Sequence, residues 1–283
     1  MTRKNQLSFE DFLDLHRVSP KTREAYLRSV SALSTYHKQP AAELTNEQIQ
    51  DYLLFCIQEK QLAWASCNVL FCGLKKYYQD YLGRSEAEFS IPRRPRSKQL
   101  PMILSQHEVR AILSAHSNLK HRTLLHVVYG SGLRVSEVVK LQPEHIDSSR
   151  MMIRVEEAKG RKDRYTVLPQ TGLELLRRYW LTYKPGKWLF PGPDKSKHIT
   201  ISTAQRVYSQ AAEKAGITRG RGIHTLRHCF ATHACDQGVE IFVIKKWLGH
   251  AKLETTSVYL HMSPERARCI KSPLDSLFVE ALP

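Results

Sequence analysis

The sequence has 283 residues, enough for two modest domains that each bury a hydrophobic core. Its 43 lysines and arginines against 27 aspartates and glutamates give a formal net charge of +16. That excess indicates a polyanionic partner, for which nucleic acid fits better than a membrane surface; a solubilising surface charge is the alternative. The lack of a long apolar run excludes both a membrane span and a secretion signal. The six cysteines have neither metal-ligand nor disulfide spacing, which favours a reducing cytoplasm.

Residues 1–84 have the pattern of a helical bundle. Ser19 precedes Pro20 at the start of one helix, Thr45 opens a second, and a third is expected from about Trp64 to Leu82. The aromatic residues of this third helix recur at helical spacing, so we expect them in the core rather than as a platform for stacked bases.

The pattern breaks in residues 85–101, where three prolines rule out a continuous helix. We expect an extended interdomain linker that either stays solvated or lies along DNA phosphates. Its positive charge comes from Arg93, Arg94, Arg96 and Lys98.

The second domain, residues 102–263, is expected to be mainly helical with a small antiparallel β-sheet. Ser105 and Glu108 form a predicted capping box, and a helix from about Leu119 to Tyr129 leads into a glycine-rich turn. Strands at Met151–Val155 and at Tyr165–Leu168 are joined by a turn, and helices follow at about 172–183 and 202–215.

Arg134 starts a new helix after the glycine turn, and Glu137 lies three residues later on the same face. The carboxylate of Glu137 can orient the guanidinium of Arg134, although an ordinary surface ion pair is the alternative.

Polar groups suited to phosphodiester chemistry lie between Gly222 and Met262. His224 and Arg227 share a helix face, and His250 and Tyr259 follow within reach if the chain folds back. Guanidinium, imidazole and phenol groups suit attack on a phosphodiester, whose oxygens accept bidentate bonds from arginine. A zinc site is the alternative; it is disfavoured because no glutamate stands between His224 and His228, so no metal is expected.

Four motifs, GSGLRVSE around Arg134, HTLRH from His224, LGH at His250 and the terminal Tyr259, resemble the tyrosine recombinase (phage integrase) family. The resemblance implies a helical core-binding domain that grips DNA, followed by a catalytic domain. It implies a catalytic set in which Tyr259 is the nucleophile, His224 assists removal of the proton of Tyr259 and Lys159 protonates the leaving group. The implied catalytic residues are Arg134, Lys159, His224, Arg227, His250 and Tyr259, with Glu137 in support.

The implied activity is site-specific DNA recombination through a 3′-phosphotyrosyl intermediate, in the integration, excision or resolution of mobile DNA. We expect the reaction to need neither metal nor ATP. A homo-tetramer is expected to act on paired double-stranded DNA sites, in a bacterial cytoplasm and at the nucleoid. Whether an accessory DNA-bending protein takes part is left open. A type IB topoisomerase and a DNA-binding accessory protein without catalysis are the rival functions, and the presence of all six matched residues argues against the second.

Two further basic segments are candidate DNA contacts, in addition to the linker. They are Arg161 and Lys162 in the hairpin turn and Arg219 and Arg221 in the loop before His224. Residues 264–283 predict a short amphipathic tail helix, with Ser272 and Pro273 at its start. This tail helix is expected to dock on a neighbouring protomer, or on its own domain as the alternative.

Overall fold

The structure is a computed structural model that describes residues 7–93, 102–156, 163–220 and 222–259. The chain divides into two compact units, residues 1–98 and residues 99–283. Several sequence expectations fall outside the described residues. These are the positions Arg94, Arg96, Lys98, Lys159, Arg161, Lys162 and Arg221, and the tail 264–283.

In the part that the structure describes, the first unit is a bundle of four α-helices, α1 to α4, and the predicted helical bundle is confirmed. A six-residue π-helix, Lys76–Tyr81, continues α4, so the long third helix expected up to Leu82 changes its hydrogen-bond pattern near its end. The α-helices are α1 (Phe9–Leu15), α2 (Pro20–His37), α3 (Asn46–Gln58) and α4 (Trp64–Lys75).

Local caps fix where these helices begin. The Ser19 side chain accepts a hydrogen bond from the Thr22 backbone with Pro20 at the first helical position, and Thr45 forms a capping box with Gln48. Both predicted starts are confirmed. Tyr78 is fully buried and its hydroxyl donates to the Ala41 carbonyl at 2.5 Å, which places this aromatic ring in the core.

The first unit extends past residue 84, where the sequence places the start of the linker. Ala87 is buried in the core of the bundle. Gln50 brackets Ser90 with two hydrogen bonds, and the indole of Trp64 donates to the Pro92 carbonyl at 2.8 Å. Residues 85–93 therefore lie against the bundle, and Arg93 is exposed at their end.

The second unit contains eight α-helices and a three-stranded sheet within its described residues. The capping box of Ser105 and Glu108 is present. The helices are α5 (Gln106–Ser114), α6 (Leu119–Ser131), α7 (Val135–Val138), α8 (Gln170–Tyr183), α9 (Ile201–Lys214), α10 (His224–Asp236), α11 (Ile241–Leu248) and α12 (Glu254–Ser257).

The sheet is antiparallel in the order β1, β2, β3, with strands Ile146–Asp147, Met152–Val155 and Arg164–Val167. Strands β2 and β3 pair as the sequence predicts, with Val155 opposite Arg164. Strand β2 begins one residue later than predicted and ends as predicted at Val155, and both ends of β3 lie one residue earlier than predicted. The two-residue strand β1 is too short to give a periodic signal. The helix expected to run from Arg134 towards Pro143 consists of one turn, α7.

Helix α10 lies inside the second unit. It packs against α5, α6 and α11, and its buried side chains surround almost its whole circumference. The side chains of Cys229 and Cys235 are fully buried in this core. Four polar side chains of α10, those of Thr225, Arg227, Thr232 and His233, are buried in this core. No helix in the described part of the chain is both long and apolar enough to cross a membrane.

Candidate active site

A glycine turn at the end of α6 positions Arg134. Gly132 caps α6 with φ of +61°, and a side-chain carbon built on it would lie 2.4 Å from the ring of Phe230. Glycine alone combines this left-handed conformation with so close an approach to an aromatic ring. Arg134 follows two residues later with 22% of its side chain exposed. The turn thus brings this guanidinium from the core to the edge of a polar cluster.

Glu137 is the carboxylate at the centre of that cluster. It accepts hydrogen bonds from the backbone and guanidinium of Arg134, each at 2.7 Å, and two more from Arg164 at 2.8 Å. Burial raises the pKa of Glu137, but the bonds from Arg164 and Arg134 outweigh it and lower the pKa to about 2. Only 7% of the Glu137 side chain is exposed, so the alternative of an ordinary surface ion pair is wrong.

Arg164 at the start of β3 ties three segments together. Besides its paired bonds to Glu137, its Nε donates to the Trp247 carbonyl in α11 at 2.8 Å. Gly249, which ends α11 with φ of +63°, lies directly beside it, and a side-chain carbon there would come within 2.7 Å of Arg164. The glycine of the LGH motif therefore makes room for a buried arginine. Sequence reasoning missed this role.

Arg227 projects from α10 and is 4% exposed. It donates to the carbonyls of Gly132 and Leu248, each at 2.6 Å, and its Nη2 lies 3.2 Å from Nε2 of His250. Burial, followed by repulsion from Arg134, lowers the pKa of Arg227 to about 9, so it stays charged at neutral pH. Partners in the described chain occupy three of its five N–H donors, which leaves two for a ligand.

His250 is held between Arg227 and Thr256. Since a guanidinium can only donate, Nε2 of His250 is the acceptor in the contact with Arg227. Its Nδ1 then carries the proton and donates to Oγ1 of the buried Thr256 at 2.8 Å. Burial and the charges of Arg227 and Arg134 lower the pKa of His250 to about 4, so the ring is neutral at pH 7. Thr256 is a second residue that sequence reasoning missed.

Tyr259 closes the cluster and is 3% exposed. Its ring stacks near that of His250 at 6.5 Å between centroids, and its hydroxyl lies 2.9 Å from Nδ1 of His228. Burial raises the pKa of Tyr259, while Arg227 and Arg134 lower it in part. The phenol is therefore protonated at neutral pH, within the electrostatic reach of both arginines.

His224 is the first residue of α10 and is exposed. Partial burial, Arg227 and Arg134 lower its pKa, so it faces the same positive region. Within the described residues it makes no hydrogen bond to Tyr259; His228, one turn later, makes that contact. The i, i+4 spacing of these two histidines was visible in the sequence, but not which of them the tyrosine would reach.

Of the candidate DNA contacts that are described, Arg219 is half exposed and forms two hydrogen bonds to Glu108 at 2.6 and 2.8 Å. Much of its guanidinium is thus engaged within the protein. Across the described residues, no group of three or more histidine, cysteine, aspartate or glutamate side chains could hold a metal ion.

Comparison with known proteins places this cluster in a family. Residues 102–266 match the model of the phage integrase family, and residues 7–88 match that of the phage integrase N-terminal SAM-like domain. The chain is 35% identical over 280 residues to the putative integrase/recombinase y4qK of Sinorhizobium fredii, covering 98% of this chain and 90% of the relative. It is 31% identical over 266 residues to the tyrosine recombinase XerA of Pyrococcus horikoshii, covering 92% and 90%.

Solved structures share the fold. A crystal structure of XerA recombinase superposes with a TM-score of 0.55 at 25% identity, covering 97% of this chain and 96% of that one. Lambda integrase residues 75–356, as a dimer bound to a COC′ core site, gives a TM-score of 0.69 at 18% identity over 93% and 95% of the two chains. With family models matching both units and a relative 35% identical over nearly its whole length, this chain belongs to the phage integrase family of tyrosine recombinases.

Proposed function

We propose that this protein is a site-specific DNA recombinase in which Tyr259 attacks a phosphodiester and becomes joined to the 3′ end of the cut strand. The observation that carries the proposal is the position of buried Tyr259, whose ring lies 6.5 Å from that of His250, which in turn contacts Arg227 at 3.2 Å. A phosphate held by the guanidiniums of Arg134 and Arg227 would lie beside the nucleophile.

The arginines suit stabilisation of the phosphorane-like transition state because they are fixed before DNA binds. Glu137, backbone carbonyls and His250 hold both guanidiniums, yet each keeps unfilled N–H donors among the described contacts. Negative charge that builds on the non-bridging phosphate oxygens would be stabilised by these N–H donors, which are already in place and need no reorganisation.

The remaining roles follow the family motifs. His250 would donate to a phosphate oxygen from Nε2. This requires that Nε2 leaves its contact with Arg227 and takes up a proton, while Nδ1–H keeps its bond to Thr256. Lys159 would protonate the leaving 5′ oxygen. The motifs give His224 a part in removing the proton of Tyr259, although its described contacts include no hydrogen bond to that hydroxyl.

We propose that the reaction needs neither metal nor ATP, since the phosphotyrosyl ester conserves the bond energy and a 5′ hydroxyl from another strand can reverse the step. Paired sites would be held by a homo-tetramer, with basic segments such as Arg93 along the phosphates. The bundle of residues 1–84 would grip the duplex, and the tail 264–283 would dock on a neighbouring protomer.

The first test uses Tyr259→Phe, which removes only the hydroxyl. DNA flanking the gene is incubated with each protein, and covalent adducts are captured under denaturing conditions and mapped. The wild type should form an adduct at one site, with or without EDTA, and the variant should bind the same DNA but form none. An adduct in the variant would move the nucleophile elsewhere, and loss of the wild-type adduct in EDTA would show a metal requirement.

The same DNA separates the two enzyme classes. Exchange of strands between two copies of the mapped site is the expected activity. Relaxation of supercoiled plasmids that lack the site, without exchange, would indicate a topoisomerase.

A further inference from the structure

The hydroxyl of Tyr259 needs a partner that takes its proton when the oxygen attacks phosphorus. In the described part of the chain, Nδ1 of His228 is the atom within hydrogen-bond distance of that hydroxyl, at 2.9 Å. His224 makes no such contact within the same residues. The geometry thus singles out a histidine that the family motifs do not assign to this step.

The direction of this hydrogen bond follows from burial. Tyr259 is 3% exposed, so its hydroxyl proton must be given to a protein acceptor rather than to bulk water. Since Nδ1 of His228 is the described partner, the hydroxyl donates and Nδ1 accepts. His228 then carries its own proton on Nε2, which is the form that can accept a second proton.

We propose, building on the recombinase function above, that His228 is the general base that takes the phenol proton of Tyr259. In the step, the Tyr259 O–H bond breaks and its proton moves to Nδ1 of His228, which becomes an imidazolium. The phenol oxygen's electron pair forms the bond to phosphorus, and the bond from phosphorus to the 5′ oxygen breaks. That oxygen leaves with the bonding pair and takes a proton from Lys159.

The charges around His228 favour the neutral ring before DNA arrives. Burial, then His224 and Arg227 on its own helix, lower the pKa of His228; His250 and Tyr259 are the titratable groups that face it from the segments after α11 and α12. A phosphodiester bound by Arg227 would add a negative charge nearby and favour the protonated ring. The base therefore gains strength when the substrate phosphate is in place.

His228→Asn tests the proposal, because the asparagine amide oxygen can take the position of Nδ1 and accept the same hydrogen bond but cannot keep a proton. His224→Asn, one turn earlier on the same helix, is the matched control. Single-turnover cleavage is measured on the mapped site carrying a 5′-bridging phosphorothiolate, whose sulfur leaves without a proton. Leaving-group protonation then has no influence on the rate.

We expect His228→Asn to cleave about 100-fold more slowly than the wild type, the lower range for loss of a general base. Between about pH 6 and about pH 9 its rate should rise in proportion to hydroxide, whereas the wild type should reach a plateau once His228 is neutral. A ring-fluorinated tyrosine at position 259, which ionises more readily, should restore most of the rate in His228→Asn. His224→Asn removes another residue of the catalytic set, so its rate can fall, but its pH profile should still reach the plateau.

A wild-type rate and plateau in His228→Asn, or the hydroxide-dependent slope in His224→Asn instead, would overturn the proposal. Nitrogen NMR of the wild-type protein gives a measurement that does not depend on the variant's folding: Nδ1 of His228 should be unprotonated and Nε2 protonated, and the reverse would also overturn it. If the wild type forms no covalent adduct with any of this DNA, the proposed recombinase function itself is refuted.

Discussion

Glu137 should contribute much of the stability of the second unit through its charge. Its pKa falls from an ordinary 4.5 to about 2 in the folded protein, because Arg164 and Arg134 overcome the cost of burying it. Each unit of this pKa shift is worth about 1.4 kcal/mol, so the ionised form contributes roughly 3 kcal/mol to the free energy of unfolding at pH 7. Glu137→Gln, which keeps the shape, should lose about that much.

The pH dependence of the loss has a defined sign. Because the folded pKa is depressed, the contribution is complete above about pH 4.5 and is lost as the pH falls towards about 2. The gap in unfolding free energy between wild type and Glu137→Gln should therefore close over that window. Urea unfolding followed by tryptophan fluorescence measures it, because three of the four tryptophans, Trp180, Trp188 and Trp247, lie in the second unit.

Glu108→Gln is the matched control. The pKa of Glu108 is also lowered to about 2, mainly by its hydrogen bond from Arg219, and it too accepts two bonds from an arginine. Arg219, however, is half exposed, so water screens the pair, and glutamine preserves the capping box. Equal losses in the two variants, or a Glu137→Gln loss that does not change with pH, would refute the reasoning from burial.

Two further predictions concern groups that act on the phosphate. Thr256→Val removes the acceptor that orients Nδ1 of His250, and with one hydrogen bond of about 1 kcal/mol lost, cleavage should slow roughly fivefold. Thr256→Ser keeps the hydroxyl and should stay near the wild-type rate, and equal slowing in both would deny the bond this role. Lys159→Ala should cleave an ordinary strand slowly and recover on a 5′-bridging phosphorothiolate, whereas recovery of Lys162→Ala instead would move the leaving-group acid by three residues.

Helix starts could be predicted from the sequence because their determinants are local. Ser19 caps its helix through a bond to the Thr22 backbone three residues away, and Thr45 and Gln48 cap each other across one turn. Arg134, Arg227 and Tyr259 could be selected as candidates because their motifs are distinctive. The structure adds their contacts, such as the bond from Arg227 to Gly132, which joins residues 95 positions apart.

Arg164 shows why the rest of the site could not be predicted. Alternation along β3 favours burial of the larger apolar side chains, yet Arg164 and Thr166 face inward while Tyr165 is 43% exposed. The polar residues are buried because Arg164 meets a carboxylate 27 positions earlier and a carbonyl 83 positions later. A pattern of period two carries no information about partners at such distances.

The same arginine also links the parts of the proposed mechanism. Arg164 lies five residues after Lys159 in the sequence, and its side chain fixes Glu137, which in turn holds Arg134. Its bond to the Trp247 carbonyl fixes the end of α11, directly before His250. One buried side chain therefore holds the start of β3, Arg134 (proposed to bind the phosphate) and the LGH turn relative to one another. Lysine could not replace it, because a single ammonium cannot bond both carboxylate oxygens and a carbonyl on the opposite side in the planar arrangement of a guanidinium.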